Sequence, residues 1–428
     1  MATEFDAVII GAGPAGSSAA ILLARAGWSV ALVEKQRFPR RKVCGECIAA
    51  SNVPLLNALG IGAAFAATAG PELRHVALMR GERRVVAALP AASPAHQWGR
   101  ALGRETLDTL LLEQARSSRA QVLQPWSVQS VRGSAGDWQV ALRGVESGQT
   151  RTVSAAVAID AHGSWQALPS ARPLHQARAR SDLFAFKANF RGASLSAGLL
   201  PVLCFNGGYG GMVLADGDTT TLACCIRRDR LDAARAASSG LRAGEVVEAL
   251  LKRECVGVRD ALHRAIRDGS WLASGPLNPG VHLRADDEIF RIGNAAGEAH
   301  PIIGEGMSMA LQSAWLLCAH LLRAGHAHAA ADATRQRELA RVYAAEWRQQ
   351  FAPRLRLAAA FAHAAMRPVT AAPLMALARR WPGLLTVGAR WGGKTRSVVD
   401  PALLAMLAAR NARASLPHVA APFAVHPL

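Results

Sequence analysis

Apolar runs and helical spacing alternate at the start of the chain. Residues 7–10 form an apolar run that predicts a buried strand, and residues 17–26 carry apolar side chains at the spacing of a helix. A second apolar run, residues 29–33, predicts another strand. Strand, helix and strand follow each other closely, so this part of the chain predicts a parallel βαβ unit.

The turn between the first strand and the helix has the sequence GAGPAG, residues 11–16. Gly11 allows a tight turn, Gly13 lets the backbone approach a pyrophosphate, and Gly16 lets the helix lie close to the strand. The start of the helix, with Pro14 and Ala15, presents free N–H groups to phosphates. Glu34 ends the second strand, where it can accept hydrogen bonds from a ribose. The segment therefore predicts a dinucleotide site; the alternative is a glycine-rich turn without a ligand.

Strand and helix patterns continue along the chain without an internal repeat. Strand patterns occur at 72–98, 121–131, 138–142, 152–159, 181–229 and 284–292, and helical patterns at 100–120, 244–268, 307–322 and, broken by prolines, from 346 onward. A second GxGxxG is absent. We therefore expect no separate domain for a permanently bound NAD(P).

The charge is strongly positive and uneven. The net charge is +18, from 49 basic and 31 acidic residues, and only five of the basic residues are lysine. A high content of arginine and alanine with little lysine is typical of a GC-rich genome. From residue 347 onward there are eleven basic residues and one acid, Asp400. Aromatic residues do not alternate with the basic ones, so we expect no nucleic-acid binding. The tail predicts ordinary amphipathic helices or, alternatively, a lid that presents arginines to a membrane surface or an acidic carrier protein.

Cysteine use and the N-terminus indicate the compartment. The seven cysteines have no regular spacing, the chain enters a strand almost at once, and no run reaches 18 apolar residues. We expect a cytoplasmic protein, peripheral to the membrane if the tail binds lipid. Cys44 and Cys47 have CxxC spacing but no second pair, so no metal site is expected.

Two further motifs complete a set. Arg104 precedes Leu107 and Asp108, and residues 293–306 read GNAAGEAHPIIGEG. With GAGPAG these residues resemble the FAD-dependent monooxygenase superfamily typified by para-hydroxybenzoate hydroxylase, over about residues 1–325. KVCGE at 42–46 and DAHG at 160–163 are more similar to the branch that holds geranylgeranyl reductases and flavin-dependent halogenases.

The resemblance implies an α/β (α+β) fold. A Rossmann-like FAD-binding domain would comprise residues 1–71, 99–173 and 282–345. It would interleave with an antiparallel-sheet, substrate-binding domain of residues 72–98 and 174–281, followed by a helical region at 346–428. FAD is the implied cofactor, with NAD(P)H as a transient reductant.

The predicted cofactor-binding residues are Gly11, Gly13, Pro14, Ala15, Gly16, Glu34, Lys35, Cys44, Arg104, Val128, Gly293, Asn294, Pro301, Gly304, Gly306 and Met307. Two positions depart from the family pattern. Asn294 stands where the family has aspartate, which keeps an acceptor for the ribityl chain, and His162 with Gly163 replaces a central Asp-Gly, so that role is not transferred.

The third motif predicts the flavin site. Gly304 and Gly306 free the backbone to lie against a flat ring, and the helix from Met307 directs its N-terminus at the negative charge of a reduced flavin. Glu298 and His300 are candidate proton-transfer residues, or else structural hydrogen-bonding groups.

The remaining candidates surround this site. Cys44 is expected to pack against the flavin loop. The basic residues 37–42 contact phosphates or are solvated, and the second interpretation is slightly favoured. In the glycine-rich segment 205–212, Tyr209, Gly210 and Met212 are predicted to line the substrate space; the alternative is a simple turn between strands.

The expected reaction is oxygenation of an apolar or aromatic secondary metabolite, free or carrier-bound, through a flavin C4a-hydroperoxide. One alternative is a geranylgeranyl-reductase-like enzyme that reduces or desaturates an isoprenoid or polyene. Another is a flavin-dependent halogenase, which is disfavoured because no W-x-W-x-I-P motif is present. The last alternative is a flavin-binding interaction protein without catalytic turnover.

Overall fold

The computed structural model describes residues 4–163, 179–238, 240–284, 286–325 and 332–392, together with 402 and 405. Most of the predicted tail beyond residue 392 and the predicted domain boundary near residue 173 lie outside the described residues. The strands are β1 Phe5–Ile10, β2 Val30–Val33, β3 Cys47–Ile48, β4 His75–Arg80, β5 Arg83–Ala88, β6 Arg100–Ala101, β7 Gln121–Leu123, β8 Trp126–Ser134, β9 Asp137–Gly144, β10 Thr150–Asp160, β11 Leu183–Arg191, β12 Leu199–Phe205, β13 Gly208–Leu214, β14 Thr220–Arg227, β15 Ile266–Ser274, β16 Gly280–Val281, β17 Phe290–Arg291 and β18 Gly297–Glu298. The helices are α1 Pro14–Arg25, α2 Val53–Leu59, α3 Gly62–Thr68, α4 Arg104–Ser117, α5 Arg228–Ala236, α6 Ala243–Glu254, α7 Val256–Ala261, α8 Gly306–Ala324, α9 Ala333–Met366, α10 Pro368–Arg380 and α11 Gly383–Trp391.

The first sheet carries the dinucleotide fingerprint. Its order is β7-β2-β1-β10-β9-β8, with β17 also paired to β10. β1 pairs in parallel with β2 and β10, so its apolar run is buried on both faces. Helices α1, α4 and α8 contact each other or the sheet on one face, where Ile9, Leu22 and Leu311 belong to the same core. On the other face, Val8 packs with Trp138 of β9.

The second sheet has the order β15-β11-β14-β13-β12-β4-β5. Its neighbours are antiparallel except β4 and β12, which are parallel. In β11, Phe186 and Phe190 pack on the side covered by α6 and α7, whereas Ala185 belongs to a separate cluster with Tyr209. The alternation predicted at 181–229 therefore separates a helix-covered face from a face that includes Tyr209.

The fold-class prediction is confirmed, and three element boundaries are wrong. The helical pattern at 244–268 ends at Ala261, and β15 begins at Ile266. In the predicted strand 284–292, the residues that the structure describes form a strand only at Phe290–Arg291. Helix α9 begins at Ala333 and continues through Pro353. The backbone N–H that proline lacks costs one helical bond, while buried Trp347 and Phe351 anchor this helix in the core.

Within the described residues, none of the helices combines the length and the apolarity needed to cross a bilayer.

Candidate active site

A cavity of about 630 Å³ is lined by both sheets and by the C-terminal helices. All three sequence motifs meet in its wall. From the predicted cofactor set, the residues that line it are Gly11, Gly13, Pro14, Ala15, Glu34, Cys44, Arg104, Gly293, Asn294, Pro301, Gly304, Gly306 and Met307. Segments that are nearly 300 residues apart in the sequence therefore share one site.

The three fingerprint glycines have different surroundings. Gly11 has a φ of +103°, and an added Cβ would lie 2.7 Å from the Ala161 carbonyl oxygen. At Gly16 an added Cβ would lie 1.8 Å from the Gly11 oxygen, so this residue packs the helix on the strand and does not itself line the cavity. A Cβ added at Gly13 would lie 3.8 Å from its nearest neighbour, Arg104 Nη2. Gly13 therefore leaves space beside a cation and the start of α1, which is where a pyrophosphate would bind.

Glu34 is buried at the end of β2 and its carboxylate is fixed. It accepts hydrogen bonds from the backbone N–H of Ala12 (3.0 Å) and of Gln36 (2.9 Å). Arg40 Nη2 is 3.6 Å from the same carboxylate. These contacts hold one acidic group at the cavity edge, and its remaining acceptor capacity suits ribose hydroxyls.

A cluster of cations lies beside Gly13. Arg104 makes two 2.7 Å hydrogen bonds to Asp108, and Arg40 Nη2 is 3.4 Å from the same carboxylate. Burial lowers the pKa of Arg104, but the ion pair with Asp108 outweighs this and raises it above its ordinary value. Burial, with Arg40 and Arg104 nearby, lowers the pKa of Lys42 to about 8. The site thus holds more positive charge than its two carboxylates balance.

Arg40 has donors that face no protein acceptor. Its Nε and Nη1 atoms are buried and make no hydrogen bond within the described part of the chain, although Arg40 lines the cavity. Buried unpaired donors of a cation are costly unless an anion accepts them. Arg40 with Arg104 and the open Gly13 therefore fits the pyrophosphate of FAD.

The slight preference for a solvated basic segment at 37–42 is wrong for part of it. Arg37 is 67% exposed and pairs with Glu146, but the Arg40 side chain is only 9% exposed. Lys42 also lines the cavity. Sequence pattern did not separate these neighbours, because the chain turns away from solvent between them.

The third motif forms the far end of the cavity wall. Gly293 and Gly304 have φ values of +60° and +62°, in the left-handed region that favours glycine. Gly306 begins α8, and a Cβ there would meet no atom within 4 Å. The first N–H groups of this 19-residue helix thus adjoin open space, which suits the negative charge of a reduced flavin.

The two candidate proton-transfer residues lie at different depths. Glu298 lines the cavity and accepts a hydrogen bond from the Asn278 N–H at 3.1 Å. His300 does not line the cavity; its Nδ1 is 3.1 Å from the hydroxyl of Tyr209, which does. Burial and then His363 lower the pKa of His300 to about 4, so the imidazole is neutral at pH 7. His300 therefore contacts the cavity through the Tyr209 hydroxyl.

The predicted substrate-lining residues Tyr209, Gly210 and Met212 all line the cavity from β13. Burial raises the pKa of Tyr209 well above its ordinary value, so the phenol stays protonated. Packing explains why residue 210 is a glycine, because an added Cβ would lie 2.7 Å from the Ala223 oxygen. It lets two strands approach each other and does not create free volume.

Besides Gly16, two predicted cofactor residues are not brought to the cavity. Lys35 is exposed beyond the end of β2, and half-buried Val128 packs against the core on the other side of the first sheet. Lys35 directly follows Glu34, which does line it. Cys44 lines the cavity, and its sulfur accepts the Glu46 N–H at 3.3 Å; Cys44 and Cys47 are not joined in a disulfide.

Comparison with known proteins decides the family. The sequence profile of the FAD binding domain family matches residues 4–348. The chain belongs to this family. The resemblance drawn from the three motifs is thus confirmed, and the family places the chain among FAD-dependent oxidoreductases.

Two curated proteins illustrate the relationship. Menaquinone reductase of Mycobacterium tuberculosis (strain ATCC 25618 / H37Rv) is 35% identical over 119 residues, 28% of this chain and 28% of that protein. Tryptophan 2-halogenase of Chondromyces crocatus is 25% identical over 331 residues, 73% of this chain and 60% of that protein. The chain therefore aligns with less than two thirds of either relative.

Solved structures share the fold over almost the whole chain. The myxobacterial chondrochloren halogenase CndH has a TM-score of 0.69 at 18% identity, covering 95% of this chain and 96% of that one. A geranylgeranyl bacteriochlorophyll reductase-like protein from Thermoplasma acidophilum has a TM-score of 0.67 at 16% identity, with the same coverage. At these identities the likeness concerns the fold.

Sequence reasoning missed several lining residues of this FAD binding domain protein. Leu78 and Arg80 come from β4, and Leu374, Leu377 and Leu384 come from the C-terminal helices. His363 of α9, whose ring centroid is 5.7 Å from that of His300, was also missed. Only tertiary packing brings these residues to the site, and no local motif marks them.

Proposed function

We propose that the protein is an FAD-dependent monooxygenase that acts on an apolar or aromatic small molecule. The observation that carries the proposal is the continuity of the cavity. It extends from the fingerprint and the Arg40–Arg104 cluster to the third motif, and on to a wall that includes Val202, Met212 and Leu377. A cofactor site and an apolar chamber are thus one space.

The residues fit an extended FAD molecule. Glu34 would hold the adenosine ribose, Gly13 with Arg40 and Arg104 the pyrophosphate, and the start of α8 the flavin. When bound, FAD supplies the electron transfer that activates O2 or reduces a substrate. NAD(P)H is the proposed reductant.

The protein's own part is binding, hydrogen bonding to the substrate and exclusion of water. Apolar side chains of β12, β13 and the C-terminal helices would surround the substrate and exclude water. Tyr209 touches the cavity as a protonated phenol that can donate a hydrogen bond to a substrate oxygen, and neutral His300 behind it orients the hydroxyl. This pair is the proposed substrate-positioning group.

A second candidate is a reductase of an isoprenoid or polyene. The local similarity to menaquinone reductase supports it, as does the apolar wall formed by the C-terminal helices. Halogenation is supported by the tryptophan 2-halogenase similarity, but no W-x-W occurs anywhere in the sequence, so we rank it below the other two.

Product mass distinguishes these reactions. FAD-loaded enzyme is incubated with NADPH, chloride, bromide and a panel of apolar aromatic and isoprenoid compounds, including menaquinone, under ¹⁸O2. A product containing one ¹⁸O supports the monooxygenase. A product heavier by two hydrogen atoms and free of label supports the reductase, and a halogen isotope pattern supports the halogenase. Cofactor binding without any product from the panel would contradict the monooxygenase proposal.

A further inference from the structure

The C-terminal helix pair, α10 and α11, has an unusual concentration of exposed apolar side chains. In the described part of the chain, seven exposed large hydrophobic residues fall within this pair and its connection: Val369, Leu374, Leu377, Trp381, Leu384, Val387 and Trp391. Trp381 is 54% and Trp391 68% exposed. We call these seven residues the apolar patch. Exposed patches of this kind on soluble folds mark sites of interaction.

The charge carried by the segment of the apolar patch has one sign. Arg367, just before α10, and Arg379, Arg380 and Arg390 on the two helices are exposed, and within the described residues none of them pairs with an acid. The guanidinium of Arg380 lies over the Trp381 ring, 5.5 Å from its centroid. The sequence from 347 to 399 contains no acidic residue. The surface therefore combines apolar and aromatic side chains with uncompensated arginine.

The inner side of the helix pair is anchored to the second sheet. Met375 and Ala378 are buried against Val85 of β5, and the Thr386 hydroxyl donates to the Ala88 carbonyl at 2.6 Å. The exposed residues are thus held on a fixed support, and they are not the loose end of a chain.

The apolar patch and the cavity share residues. Leu374, Leu377 and Leu384 are exposed and also line the cavity. The apolar patch therefore adjoins the wall of the cavity at three apolar side chains.

We propose that the apolar patch docks on an anionic lipid membrane and that the apolar substrate enters the cavity from the bilayer. Helices with arginine on a polar side and tryptophan and leucine on the other are suited to lie in the bilayer interface. Anionic lipid headgroups complement the unpaired arginines. Docking stands on the surface alone, whereas the substrate route rests on the proposed function.

Vesicle binding tests the proposal. FAD-loaded, full-length protein is sedimented with vesicles of phosphatidylcholine containing 30% phosphatidylglycerol, and with vesicles of phosphatidylcholine alone. We expect binding to the anionic vesicles that weakens at high salt, and quenching of tryptophan fluorescence by brominated acyl chains. The double variant Trp381→Ser/Trp391→Ser should lose the quenching. The double variant Arg379→Gln/Arg380→Gln should weaken binding by about fivefold for each arginine removed.

Matched variants control for charge and exposure. Leu241→Ser/Ile266→Ser removes two exposed apolar side chains elsewhere, and Arg191→Gln/Arg253→Gln removes two exposed positive charges elsewhere; both should bind vesicles as the parent does. If the parent protein does not bind anionic vesicles, or if the control variants lose binding equally, membrane docking is wrong. Binding to a purified acidic carrier protein in place of vesicles would also overturn it. Vesicle binding is measured independently of flavin content and product formation. Failure of membrane docking can therefore be distinguished from failure of the proposed function.

Discussion

At the scale of single residues, position in the sequence is a poor guide to environment. Arg37 and Arg40 are three residues apart and chemically identical, yet one is solvated and paired with Glu146 while the other is buried in the cavity wall. Burial lowers the pKa of Arg40, with Asp108 and Glu34 acting in the opposite direction. A bound pyrophosphate would accept its two unpaired donors and add negative charge.

Replacement of Arg40 should therefore weaken FAD binding. Because a hydrogen bond to a charged group contributes about 1.5–3 kcal/mol, we expect Arg40→Gln to raise the Kd for FAD by about 10- to 100-fold. Arg37→Gln, the matched control, should change it by less than about threefold because exposed ion pairs contribute little. Titration of the apoprotein with FAD, followed by flavin fluorescence, measures both. Equal effects of the two variants would contradict the assigned role of Arg40.

His300 gives a prediction about pH. Its pKa in the folded protein, about 4, lies below the ordinary 6.5, so between these values the unfolded chain binds the extra proton. Stability is therefore fully present above pH 6.5 and falls as the pH drops towards 4. We expect Tm to fall less over this range in His300→Gln than in the parent, whereas exposed His263→Gln should follow the parent. Thermal unfolding at pH 7, 5.5 and 4.5 measures the difference; parallel curves for all three proteins would show that His300 does not resist protonation.

At the scale of elements, the sequence predicts best where one local segment contains the whole motif. Strand, glycine turn, helix and acid lie within 30 residues. The steric requirements of this local unit are enough to assign a role to each glycine from the sequence. Element ends were less predictable. The 244–268 pattern contains both α7 and the start of β15, because the exposed Ile266 at the edge of a sheet has no helical or strand signal of its own.

The fingerprint glycines should separate folding from binding. Gly13 has φ −71° and ψ −176°, which any residue adopts, and space around it, so Gly13→Ala should fold normally and bind FAD at least tenfold more weakly. Gly16→Ala forces a Cβ against the Gly11 oxygen and should destabilise the fold by about 1–3 kcal/mol or more. Urea unfolding of the apoproteins and FAD titration give the two quantities. A large loss of stability in Gly13→Ala would show that this glycine serves the protein and not the ligand.

At the scale of the whole molecule, one buried ion pair joins the loop before β3 to the second sheet. Glu46, in the loop before β3, accepts hydrogen bonds from Lys187 of β11 and from the Thr221 hydroxyl of β14, and also from the Arg104 N–H at 3.0 Å. Glu46 and Lys187 are each 2% exposed. The sequence could not predict this pair, since its partners are 141 residues apart and no sequence motif contains both of them. The cavity residues of β4 and of the C-terminal helices could not be predicted for the same reason: they are far in sequence from the motifs that they adjoin.

The pair should control how firmly this loop and the start of α4 are held on the second sheet. Lys187→Met leaves the Glu46 carboxylate buried without its cation, which costs about 3–5 kcal/mol in the free energy of unfolding. Lys252→Met breaks the half-exposed ion pair with Glu248 and should cost less than about 1 kcal/mol. The double variant Glu46→Gln/Lys187→Met should recover part of the loss, since it removes the unpaired charge as well. Because Glu46 also lines the cavity and bonds to Arg104, Lys187→Met should loosen FAD binding too. Urea unfolding of the three variants tests this; if Lys187→Met costs no more than Lys252→Met, the loop is held on the second sheet by apolar contacts and not by this pair.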